Sequence, residues 1–78
     1  MQEKQFKMGD VFKVTYNRDR KDYTKMGKVT DFVNYDDTNL IAICCDPVHT
    51  TSEGFWFYAN EVQSVTFLLK ENHPEYYL

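Results

Sequence analysis

The sequence predicts an all-β fold: a small antiparallel barrel of five strands, with one short 3-10 turn before the last. Three observations predict it. Runs rich in β-branched and aromatic residues alternate with period two, and Asx, Gly and Pro residues punctuate them. The connections between the runs are too short for parallel crossovers. Five short twisted strands would leave exposed edges unless they curled, so a closed or half-open barrel is the natural solution. The 78 residues make one domain, with a core at 9–69 and a tail at 70–78. Hydrophobic residues are 42% and aromatics 17%, enough for a core, while three glycines and two prolines are too few for a linker. No apolar run approaches the roughly 20 residues that cross a bilayer, so no membrane association is expected.

The first strand is read at 10–16, where Phe12, Val14 and Tyr16 share a face. Residues 17–25 are too polar to be buried and read as a long excursion loop. Strand composition resumes at 26–35, with a break in alternation where a bulge would bring Val29 and Phe32 inward. Asp36, Asp37, Thr38 and Asn39 make a turn, since short Asx side chains satisfy local backbone donors. Residues 40–45 are apolar throughout and read as the central strand, covered on both faces and ended by Asp46-Pro47. Residues 48–53 form a polar loop. Gly54 opens a strand in which Phe55 and Phe57 face the core while Trp56 and Tyr58 face outward. Residues 59–62 make a tight helical turn before 63–69, where Val65, Phe67 and Leu69 alternate.

The layout resembles that of SH3-like small barrels over residues 9–69. Gly9-Asp10-Val11-Phe12-Lys13-Val14, Gly27-Lys28-Val29 and Gly54-Phe55-Trp56-Phe57-Tyr58-Ala59-Asn60-Glu61-Val62 carry the resemblance. In peptide-binding members of that fold, aromatics from the first long loop, the fourth strand and the helical turn line a groove. The resemblance places Tyr16, Tyr23, Trp56 and Tyr58 in that role. Arg18, Arg20 and Lys21 stand where those members carry an acidic run, and Ala59-Asn60 replaces their proline. Polyproline recognition is therefore not implied, and nucleic-acid-binding or scaffolding barrels fit the loop equally well.

Outward rings at Trp56 and Tyr58 would offer rigid amphipathic area for a peptide or a base. The competing expectation is that Trp56 closes a barrel end beneath Phe6 and Met8, or beneath the Tyr76-Tyr77 tail. Charge divides unevenly: residues 1–30 carry +4 and residues 31–78 carry −7, for a net −3. Arg18, Arg20, Lys21, Lys25 and Lys28, interleaved with Tyr23, have the composition that tracks phosphates while stacking a base. Asp19 and Asp22 inside the same stretch oppose that reading, as does the overall acidity.

Adjacent Cys44 and Cys45 point to opposite faces of a strand and are expected as free thiols, with no disulfide. Asp46 and His49 lie close by, but no second cysteine pair completes a metal site, and no metal or other cofactor is expected. No rigid nucleophile, base and carboxylate converge, and no glycine-rich phosphate cradle exists, so the chain is not expected to be an enzyme. The start at Met1-Gln2-Glu3-Lys4-Gln5 lacks an apolar signal region, so a cytoplasmic location is expected. The small, acidic, freestanding profile is also that of bacterial or phage accessory proteins. The expectation is a binding module for a protein partner through Tyr16, Tyr23, Trp56 and Tyr58, rimmed by the basic loop. The alternatives are a nucleic-acid binder using residues 18–28 and a domain that self-associates through a sheet edge or the C-terminal tail.

Overall fold

The structure, a computed structural model, describes residues 6–35, 40–48 and 53–77. Among the described residues there are five strands: β1 (Val11–Arg18), β2 (Lys21–Val33), β3 (Ala42–Pro47), β4 (Phe55–Tyr58) and β5 (Val62–Phe67). A 3-10 turn at Ala59–Glu61 joins β4 to β5, as expected, and a second lies at Pro74–Tyr77. All pairings are antiparallel and form one sheet in the order β4-β3-β2-β1-β5. The chain thus meanders through four strands and returns to lay the fifth beside the first.

No ladder joins β4 to β5, so the sheet stays open along those two edges among the described residues. It is nevertheless strongly bent. Flat, it would hold β1 and β4 roughly 14 Å apart at the usual strand spacing. The Phe12 and Phe57 rings instead meet at 5.9 Å between centroids, and the Tyr16 and Phe57 rings at 5.3 Å. Bulges at Thr30 in β2 and at Gln63 in β5, the latter opposite Thr15/Tyr16, supply local kinks for that bend.

The expected excursion loop at 17–25 is corrected to a hairpin. Only Asp19 and Arg20 separate β1 from β2, and both have positive φ, 54° and 67°, the signature of a primed two-residue turn. Polar residues suffice here because cross-strand pairs, rather than burial, hold this exposed ribbon. Tyr16 stacks on Tyr23 at 5.4 Å, the Thr15 and Thr24 hydroxyls meet at 3.0 Å, and Asn17 Nδ2 donates to Asp22 Oδ1 at 2.8 Å. Asp-Arg lacks the glycine that usually announces such a turn, so polarity alone read as loop.

Phe12, Val14, Tyr16, Val29, Ile43, Cys45, Phe57 and Val62 form the core on the concave face. Phe6 plugs one end, with its ring 5.2–5.4 Å from those of Phe12, Phe57 and Phe67. Val29 faces inward by unbroken alternation, and the β2 bulge at Thr30 returns Phe32 to that face opposite Ile43, as expected, although Phe32 at the sheet margin stays 37% exposed. Leu40 and Ile41 are likewise exposed and precede β3 rather than belonging to it. The tail docks: Tyr77 donates its hydroxyl to Leu68 O at 2.6 Å. The expected turn at 36–39 and most of the loop at 48–53, with His49, lie outside the described residues. Among the described residues no helix is long and apolar enough to cross a membrane.

Candidate binding surfaces

Alternation along β4 puts Phe57, fully buried, and half-buried Phe55 toward the core, and Trp56 and Tyr58 toward the outer face. Trp56 is held on several sides. Tyr58 meets it edge-on at 5.3 Å, Tyr35 lies tilted at 5.6 Å, and the Arg18 guanidinium sits 4.0 Å from its ring centroid. Among the described residues, Phe6, Met8 and Tyr77 of the chain ends do not supply these contacts. Phe6 is committed to the core, Met8 is 60% exposed, and Tyr77 is tied to Leu68.

Beside Trp56 opens a groove of about 240 Å³ whose walls include Thr30, Tyr35, Cys44, Asp46 and Gly54. The Tyr35 hydroxyl and Cys44 Sγ are 3.6 Å apart across it, and this hydrogen bond, with the neighbouring Cys44 and Asp31 charges, pushes the Tyr35 phenol above its ordinary pKa. Sequence reasoning did not single out Tyr35. The break in alternation at the β2 bulge, which decides the face of every later residue, was the available signal.

Arg18 clamps the corner where the sheet fails to close. Its Nε donates to Glu61 Oε2 at 3.1 Å, and its Nη2 donates to both Glu61 Oε1 and Trp56 O at 2.9 Å. Glu61 Oε1 also accepts from the Tyr58 N–H at 2.9 Å. Two outward backbone groups of edge strand β4 are thereby satisfied by one ion pair, which blunts that edge against further strand pairing. Burial alone would raise the Glu61 carboxyl, but the hydrogen bonds from Arg18 and Tyr58 and the Arg18 charge together hold it below its ordinary value. The bond to Glu61 likewise raises the Arg18 guanidinium.

The remaining site expectations are redistributed. Tyr16 is 3% exposed, so its assignment to a binding surface is corrected to a core role, and burial pushes its phenol up. Tyr16 shares the inward face of Phe12 and Val14, as alternation along β1 requires, so the groove role implied by the resemblance does not hold for it. Tyr23 lies on the inner face of the hairpin, stacked on Tyr16 rather than beside Trp56. The basic loop is corrected to strand and turn positions that do not form one rim. Arg18 is paired with Glu61, Arg20 occupies the turn, and Lys28 approaches the Tyr77 ring at 5.7 Å. Lys21 and Lys25 share a face with Tyr23, as does Arg18, which pairs with Lys21 and turns to Glu61.

Cys44 and Cys45 are free, the first half-buried at the groove and the second in the core. Burial, reinforced by the Cys44 and Asp46 charges, pushes the Cys45 thiol up to about 12. Comparison of the chain with protein-family models, with curated proteins and with solved structures yields no match.

Proposed function

We propose that the protein is a non-catalytic binding module with SH3-like architecture that engages a protein partner through the outer face of β4. The carrying observation is the groove beside Trp56, an indole already immobilised by Tyr35, Tyr58 and Arg18. A pre-positioned ring loses little entropy on binding, which is what makes aromatic anchors dominate interfaces. Asp46 in the groove wall and the Trp56 and Tyr35 rings together suit a lysine- or arginine-bearing peptide. The blunted β4 edge favours recognition by side chains over strand addition. The strand order, with the fifth strand returning beside the first, supports the SH3-like reading, and the free thiols fit a reducing cytoplasm.

Trp56 is the only tryptophan, so its emission reports directly on the groove. Titration with a library of basic peptides should shift that emission saturably. Trp56→Ala, followed by anisotropy of a labelled hit, should weaken binding about 30-fold, the equivalent of a hot-spot residue. A library that leaves the emission unchanged, or a hit that binds Trp56→Ala equally well, removes the proposal.

A further inference from the structure

We infer that the inner face of the β1–β2 hairpin is a second site, suited to a single strand of nucleic acid. Residues 21, 23 and 25 share one face of β2, and the pairing of Tyr23 with buried Tyr16 identifies that face as the inner one. Lys21 and Lys25 are exposed on it. The acids that interrupt this basic run in the sequence are directed elsewhere. Asp22 lies on the opposite face, bonded to Asn17, Asp19 sits in the turn, and the Glu61 charge is matched by Arg18. Strand pairing therefore sorts a mixed-charge segment into one cationic face and one polar face.

The same face presents rings. Tyr23 stacks on Tyr16 at 5.4 Å, and Tyr16 lies nearly parallel to Phe57 at 5.3 Å and to Phe55 at 6.5 Å. This column is anchored in the core and ends at half-buried Tyr23 and Phe55. Each end carries an ammonium group: Lys21 Nζ is 5.3 Å from the Tyr23 centroid, and Lys25 Nζ is 5.9 Å from that of Phe55. A ring capped by one flexible, exposed lysine, repeated twice, matches the base and phosphate repeat of an unpaired strand, a base taking the ring face as the ammonium turns to its phosphate. An acidic peptide would use the lysines and leave the rings idle, and a duplex hides its base faces within its own stack. β3 pairs with β2 only from Gly27 onward, so 21–26 have a strand neighbour on the β1 side alone, and the site is open laterally among the described residues.

The test is fluorescence anisotropy of a labelled oligothymidylate with the full chain. Wild type should bind at low salt, and neutralising two phosphates should weaken affinity about sevenfold for a fourfold rise in salt. K21E/K25E, at two exposed positions, should lose about tenfold or more, while Lys13→Glu on the outer face should bind as wild type. Tyr23→Leu should weaken binding several-fold without removing the salt dependence. No binding at low salt overturns the inference, as does an equal loss in Lys13→Glu. Equal affinity for a duplex, or equally effective displacement by polyglutamate, overturns the assignment to single strands.

Discussion

Replacing Arg18 with Met keeps an unbranched apolar stem but removes the guanidinium that ties the end of β1 to the β4 corner. The substitution deletes a two-pronged ion pair with Glu61 and the donor to Trp56 O. The paired side chains are 27% and 18% exposed, so the loss should fall between the fraction of a kcal/mol typical of surface pairs and the 3–5 kcal/mol of buried ones. About 2 kcal/mol is expected, or a fall in Tm of about 8–16 °C for a domain of this size. Thermal unfolding followed by circular dichroism at neutral pH measures it. Acid supplies the internal control. The folded-state pKa of Glu61 lies below its ordinary 4.5, so the pairing stabilises fully above that value and is lost as pH falls through the folded pKa. The Tm gap between wild type and Arg18→Met should therefore narrow in acid. In a double-mutant cycle with Glu61→Gln, the coupling should be about 1 kcal/mol at neutral pH. A variant that melts with wild type, or a gap that ignores acid, would refute the clamp.

Three further outcomes follow from the packing. Cys45 should resist iodoacetamide at neutral pH until the chain unfolds, because its thiol is buried and its pKa is about 12, while Cys44 alkylates first; mass spectrometry of digests separates the adjacent sites by fragmentation. Gly54→Ala should destabilise by about 1–3 kcal/mol in urea titration, since a Cβ there would lie 2.8 Å from the Cys45 carbonyl oxygen, a backbone atom that cannot swing aside. Arg20→Gly should raise stability by up to about 1 kcal/mol, the relief of a left-handed non-glycine residue partly offset by a more flexible unfolded chain; a lower urea midpoint would contradict the turn geometry.

Period-two alternation made β4 legible from sequence, and with it the outward placement of Trp56 and Tyr58. The same rule found Phe12 and Val14, because burial on one face leaves its mark on every second residue. It failed at residues 17–25, where the strands are held by cross-strand pairs between polar or aromatic partners and no apolar alternation is needed. It also failed at Tyr35, whose face depends on a bulge upstream.

What the chain determined by itself is the all-β class with its five strand segments, the alternation of β4 and the helical turn before β5, all set by local alternation and turn chemistry. What tertiary structure alone decided is which charges remain available. Arg18 and Glu61 are 43 residues apart, and only the bend of the sheet brings them into contact. Register then parts Lys21 and Lys25 from Asp22, since pairing with β1 assigns each to a face, and composition carries no record of faces.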